Sequence, residues 1–181
     1  MTDHHIPLAG VLGNPVAHSK SPCLFRHWLR KYGREGYYVP IRVEEKNLEQ
    51  VIRTLPAMGF AGVNVTIPHK VAVLDIADLV TDRATLIGAA NTLIFRRDGK
   101  IHADNTDGYG FIANLQQNAP GWKPDSGPAA VLGAGGAALI GGLRRLQANA
   151  VSVTGALRGG GAAAVKNCTL RSRWRFSSSG A

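Results

Sequence analysis

The chain has 181 residues, of which 45% are hydrophobic and 18% charged, and it carries a formal net charge of +9. That is enough apolar material for one ordinary packed domain or two small ones. No apolar run approaches the roughly 20 residues of a membrane helix, so a membrane-spanning class is excluded. The opening residues Met1 to Pro7 lack the basic and then apolar build of a signal peptide. Cys23 and Cys168 stand alone, which supports neither a zinc site nor a disulfide framework and makes a reducing cytoplasm the expected compartment. The charge is unevenly placed. Residues 1–138 carry 14 Lys and Arg against 12 Asp and Glu, whereas residues 139–181 carry seven basic residues and no acid. The excess belongs to the tail, which has no nucleic-acid-binding motif, and no nucleic-acid partner is expected.

Residues 6–12 read as a first strand. Ser21-Pro22 then looks like an N-cap and first-turn proline, opening a helix through Leu24, Phe25, Trp28 and Leu29 that Gly33 closes. Phe25, Trp28 and Leu29 share one helix face and are expected in the core. Residues 37–43 form a second strand, and residues 44–58 a second helix with Leu48, Val51, Ile52 and Leu55 at helical spacing, ended by Gly59. In residues 61–67, Val63, Val65 and Ile67 alternate with Asn64 and Thr66, a third strand that stops at Pro68. Helical turns follow, and then two strands, 92–96 and 100–103, flank the hairpin signal Asp98-Gly99. A helix is expected over 106–117 and a breaker-rich linker over 119–128.

A new βαβ unit opens at Ala129. Its strand runs into Gly133-Ala134-Gly135-Gly136-Ala137-Ala138, and a helix follows through Leu139, Ile140, Leu143 and Leu146. Glycines there let the backbone approach a pyrophosphate, which the helix N-terminus holds with its free N–H groups. Gly133, Ala134, Gly135, Gly136 and Ala137 are therefore the candidate dinucleotide-binding residues. No Asp or Glu lies about 20 residues further on to accept a ribose 2′-hydroxyl, so NADP is expected rather than NAD.

With these motifs in order, the chain resembles shikimate dehydrogenase. The matching blocks are Gly13-Asn-Pro-Val-Ala-His-Ser-Lys-Ser-Pro22, Asn64-Val-Thr-Ile-Pro-His-Lys70, Gly88-Ala-Ala-Asn-Thr92, Asp104-Asn-Thr-Asp-Gly108 and Gly133-Ala-Gly-Gly-Ala-Ala138. The resemblance implies an NADP-linked oxidoreductase of chorismate and aromatic amino-acid biosynthesis that reversibly reduces 3-dehydroshikimate to shikimate. It further implies that Ser19 and Ser21 hydrogen-bond the substrate carboxylate, and that Thr66, Lys70, Asn91 and Asp107 contact its ring hydroxyls. Lys70 and Asp107 would be the catalytic pair. Hydroxyls, an amide and one ion pair suit a small polyhydroxy acid. A base beside the reacting alcohol is what hydride departure requires, while the nicotinamide carries the hydride itself. Lysines are mostly protonated at neutral pH, so Lys70 either serves as a base made available by burial or clamps the oxygen electrostatically. A homodimer is a further possibility. The neighbouring alternatives are a quinate/shikimate dehydrogenase using NAD and a non-catalytic shikimate-binding remnant.

Each candidate also has a plainer role. Ser19 and Ser21 can simply cap the helix at Pro22, and Asn91 can be a turn residue. Asp104 and Asp107 invite a calcium loop, but its twelfth position is Leu115 where a bidentate Glu is needed. His18 and His69 have no ligand partner at metal spacing, so no metal is expected and hydrogen bonding around the site is the better role.

The expected fold class is α/β, with a substrate-binding α/β domain over 1–118 and a linker over 119–128. The start of an incomplete Rossmann-like NADP-binding domain occupies 129–154, and a basic, low-complexity, disordered tail 155–181. After Ala138 the pattern departs from the family. Leu139 replaces its Arg, and Val151-Ser-Val-Thr-Gly155 stands where an Asn-Arg-Thr turn would grip the 2′-phosphate, with Arg158 as a substitute charge. Only two of the three strands of a mononucleotide-binding half are legible, so truncation or a shifted reading frame after about residue 138, with impaired turnover, is the expectation.

Overall fold

The computed structural model describes residues 6–123 in full and, beyond them, the backbone of residues 129–132, 151–156 and 165–170. The chain divides into two units, Met1–Thr106 and Asp107–Ala181.

The first unit is built on a six-stranded mixed sheet with strands β1 (Leu8–Gly13), β2 (Tyr37–Arg42), β3 (Phe60–Val65), β4 (Leu79–Val80), β5 (Thr92–Phe95) and β6 (Ile101–Asp104), in the order β2-β1-β3-β5-β6-β4. β1 runs parallel to both β2 and β3, β5 is antiparallel to β3 and β6, and β4 is parallel to β6. Side chains alternate across a strand, and the register assigns each to a face. Leu12, Val63, Val65, Leu93, Ile101 and Ala103 point to one face and are buried there with residues of α2 (Leu48–Thr54), α3 (Val73–Ile76) and α4 (Asp82–Ile87). The opposite face carries Tyr38, Asn64, Thr92 and Asp104. One sheet surface is therefore the core and the other bears polar side chains.

Several elements differ in detail from the sequence reading. The expected helix over 44–58 is α2 flanked by two short 3₁₀ segments, Glu45–Asn47 and Leu55–Met58. Pro56 lacks the N–H that α2 would need to continue, and Gly59 ends the segment at φ 86°, a left-handed conformation that glycine adopts without a Cβ clash. β4 and α4 had no clear sequence signal, because β4 is two residues long and α4 spans fewer than two turns. Thr81 caps α4, its hydroxyl oxygen accepting the Ala84 N–H at 3.3 Å.

Helix α1 (Ser21–Lys31) corrects two expectations. Its N-cap is Lys20 rather than Ser21, and Ser19 Oγ accepts the Ser21 N–H at 3.3 Å, a local serine turn that closes the helix start. The helix has no buried residue, and Trp28 is 44% exposed rather than in the core. The reason is position: α1 packs on β2 and β1 at the sheet edge, so its apolar face is covered on one flank only. Phe25 lies stacked on Tyr38, ring centroids 4.0 Å apart, and Trp28 meets Phe25 edge-on at 5.6 Å.

In the second unit α5 (Asp107–Asn118) is followed by β7 (Ala129–Leu132), β8 (Val151–Ala156) and β9 (Val165–Leu170). β7 and β8 are parallel, as a βαβ unit requires. Where sequence shows two strands, the described residues hold three: β9, inside the segment that composition marks as tail, pairs antiparallel with β8. A mononucleotide-binding half would add a parallel third strand. The glycine motif at 133–138 and the helix expected after it lie outside the described residues.

Candidate functional site

Parallel strands β1 and β3 end side by side, and the loops leaving them hold most of the candidate residues. Thr66 N–H donates to the Leu12 carbonyl at 2.9 Å, and Asn14 N–H donates to the Ile67 carbonyl at 3.0 Å. These bonds tie the segment after β3 to the end of β1. A Cβ on Gly13 would collide with Thr66 Cγ2, so glycine at 13 is what allows the Thr66 side chain its place. The turn then brings Lys70 round to the start of β5. Ala90 N–H donates to the Lys70 carbonyl at 2.8 Å, and Val65 N–H donates to the Asn91 carbonyl at 2.8 Å. Thr66, Lys70 and Asn91, 25 positions apart at the extremes, are thus held at one end of the sheet, where open α/β sheets bind ligands.

Asn91 is nearly buried and its amide is fixed in direction. Its Oδ1 accepts the Thr106 N–H at 3.0 Å and the Thr92 hydroxyl at 2.9 Å, while its Nδ2 donates to Thr106 Oγ1 at 2.9 Å. Because a backbone N–H can only donate, the oxygen must face Thr106. Asn91 thus ties the start of β5 to the residue after Asn105 through its side chain. Asn64, on the same polar face, donates through Nδ2 to Thr92 Oγ1 at 3.3 Å and accepts the Tyr38 hydroxyl at 2.7 Å. Tyr38 in turn is hydrogen-bonded to the Ser21 side chain, and burial pushes its hydroxyl up to about 12 against the opposing pull of that serine. A hydrogen-bonded series therefore runs from Ser21 through Tyr38, Asn64, Thr92 and Asn91 to Thr106. Ser21 enters it from the start of α1 through Tyr38, and Ser19 accepts the Ser21 N–H beside it. Asp107 follows Thr106 in the chain as the first residue of α5, in the second unit.

Asp104, at the end of β6, is 8% exposed and accepts from several donors. Arg83 meets it with both Nε and Nη2, Thr81 Oγ1 donates at 2.7 Å, and the Asn105 N–H donates at 2.7 Å. The Arg83 guanidinium, helped by Thr81 and Asn105 and opposed by burial, holds the Asp104 carboxyl down at about 2. His69, between Pro68 and Lys70, is fully buried and its Nε2 lies 2.9 Å from the Val43 carbonyl. It braces the turn from below rather than touching the polar face. Among the described residues no group of three or more His, Cys, Asp or Glu could hold a metal ion, and no helix is long and apolar enough to cross a membrane.

Tyr38, Thr92, Thr106 and Arg83 have no candidate role in the sequence reading, and Asp104 enters it only through the rejected calcium loop. Asn64 and Thr92 had a usable signal, polar residues in strands that are otherwise apolar on alternate positions. Tyr38 had none, since only the parallel pairing of β2 with β1 puts its hydroxyl within reach of β3.

These features define a class: an α/β domain with a polar cluster at the carboxyl ends of its parallel strands, preceding a second α/β unit. Residues 11–93 match the model of the family described as the shikimate dehydrogenase substrate binding domain. A 137-residue stretch is 69% identical to an NADP(+) shikimate dehydrogenase of Paracoccus denitrificans, covering 76% of this chain and 49% of that protein. A crystal structure of a shikimate dehydrogenase in complex with NADP+ superposes with a TM-score of 0.78 at 34% identity, covering 86% of this chain and 53% of the other. That of the Thermus thermophilus enzyme in complex with NADP(H) and shikimate gives 0.72 at 35% identity, covering 82% and 55%. The N-terminal part of this chain is similar to the shikimate dehydrogenases. The chain spans about half the length of the curated relatives it matches.

Proposed function

We propose that this chain binds shikimate and 3-dehydroshikimate on the polar face of its first unit and belongs to an NADP-dependent shikimate dehydrogenase. The observation that carries the reading is the gathering of Thr66, Lys70 and Asn91 by the two backbone bonds that link β3 and the turn after it to the start of β5. In this reading Ser19 and Ser21 hold the carboxylate from the start of α1, since hydroxyl donors at a helix start suit an anion. Thr66 and Asn91 bind ring hydroxyls. Lys70 and Asp107 form the catalytic pair: as the alcohol becomes a ketone its proton passes to this pair, and in reverse the pair returns it. Bound NADP supplies the hydride acceptor or donor. Gly133, Ala134, Gly135, Gly136 and Ala137 would hold its pyrophosphate, in keeping with their place directly after β7, at the carboxyl end of a parallel strand. The reading places the protein in the cytoplasm, and light scattering tests whether it forms a homodimer.

Calorimetry with shikimate on the wild type, Lys70→Ala and Asp107→Asn tests the site. Wild-type heat that falls or vanishes in both variants is the expected result, and equal heats for all three would refute the assignment. A parallel comparison of reduction rates with NADP and NAD at saturating shikimate should favour NADP. A clear NAD preference would point instead to a quinate/shikimate dehydrogenase, and binding without turnover to a non-catalytic module.

A further inference from the structure

We propose that Arg83 and Asp104 form a positioning clamp that sets the geometry of the Asn91 and Thr106 pair, and with it the affinity of the site for a polyhydroxy acid. The inference deepens the shikimate reading and rests on it. Asp104 works in two directions. Its carbonyl accepts the Asn91 N–H at 3.0 Å, while its carboxylate holds the Asn105 N–H at 2.7 Å. Asn105 is locked in addition by its own Nδ2, which donates to the Ala89 carbonyl at 2.8 Å. One residue therefore holds the backbone on both sides of the cluster, the entry to β5 at Asn91 through its carbonyl and the exit of β6 at Asn105, the residue before Thr106, through its carboxylate.

Leaving such a carboxylate nearly buried is costly unless its charge is matched and its lone pairs filled. The Arg83 fork does both, since a guanidinium meets a carboxylate with two parallel N–H donors and so sets its plane as well as its position. Arg83 is not needed to build its own helix. α4 is capped by Thr81 and anchored by buried Ala84 and Ile87 on the core side, while the Arg83 side chain is 59% exposed. Its structural effect is exerted through Asp104. Arg83 and Asp104 are thus positioning residues, acting on ligand through Asn91 and Thr106.

The test uses the full chain with Arg83→Met, Arg83→Lys and Asp104→Asn, read by shikimate calorimetry and by amide hydrogen exchange. Losing a charge-assisted bidentate contact should raise the shikimate Kd of Arg83→Met about tenfold, with Arg83→Lys recovering part of the loss. Exchange at the Thr106 amide should accelerate by a similar factor while the Val63 amide in the central strand keeps its protection. A Kd within twofold of wild type in folded Arg83→Met would overturn the proposal, and so would equal acceleration at Thr106 and Val63, which would mean general loosening. Absence of heat with the wild type would instead overturn the shikimate reading and the affinity half of the proposal, leaving Thr106 exchange to decide the clamp itself.

Discussion

Gly13 is a residue whose importance comes from what it lacks. Placing a Cβ there drives Thr66 Cγ2 away, and the next obstacle is the Ile67 carbonyl at 3.1 Å, so neither a side-chain nor a backbone shift is free. Gly13→Ala should therefore displace Thr66 from the end of β3 and weaken shikimate binding about tenfold or more, with a loss of stability of about 1–3 kcal/mol from overpacking. Calorimetry and urea unfolding on the same variant separate the two effects. Retained affinity would show that Thr66 does not contact the ligand. Tyr38 belongs to the same scale: its hydroxyl links strands separated by β1, which no local pattern announces.

At the scale of elements, α4 and β6 are joined by the Asp104 ion pair, which gives the fold a pH signature. The Asp104 carboxyl titrates at about 2 in the native state, held down first by Arg83, against about 3.9 in an unfolded chain. A depressed native value means that its contribution to stability is complete above about pH 4 and is lost as pH falls from about 4 to about 2. Allowing for the solvent access of Arg83, that contribution is about 1–2 kcal/mol. Urea unfolding should show Asp104→Asn weaker than wild type by this amount at pH 7, with the gap narrowing below about pH 4 and closing near about pH 2. A gap independent of pH would mean that the ion pair is not its source. The hairpin of β5 and β6 was legible because Asp98-Gly99 sits between two apolar runs. The exposed face of α1 was misread because amphipathic spacing identifies an apolar stripe and not how much of it a neighbouring element covers.

The whole molecule pairs a first unit that holds residues 11–93, matched to the substrate binding domain, with a second whose described strands do not all run parallel. β9 of the second unit runs antiparallel to β8, the strand Val151-Ser-Val-Thr-Gly-Ala156. Hydride transfer needs the nicotinamide within roughly 3–3.5 Å of the reacting carbon, and losing that positioning removes orders of magnitude in rate. NADPH formation by this chain should accordingly be far below that of a chimera carrying a complete family cofactor domain after Ala138. Comparable turnover in the two would show that residues 139–181 position the cofactor after all.

The sequence by itself determined the α/β class and the succession of the main strands along the chain, because hydrophobic period and turn residues are local and survive in one dimension, and its short polar blocks, through the family they resemble, named Ser19, Ser21, Thr66, Lys70, Asn91 and Asp107 as candidates. Only the tertiary structure decided which of these meet. Thr66, Lys70 and Asn91 come together through backbone bonds that join Lys70 to Ala90 and Val65 to Asn91, the direction of the Asn91 amide is set by Thr106, and the carboxylate of Asp104 is tied to an arginine 21 residues earlier. Those contacts depend on strand order and register, and a residue's neighbours across a sheet leave no trace in its neighbours along the chain.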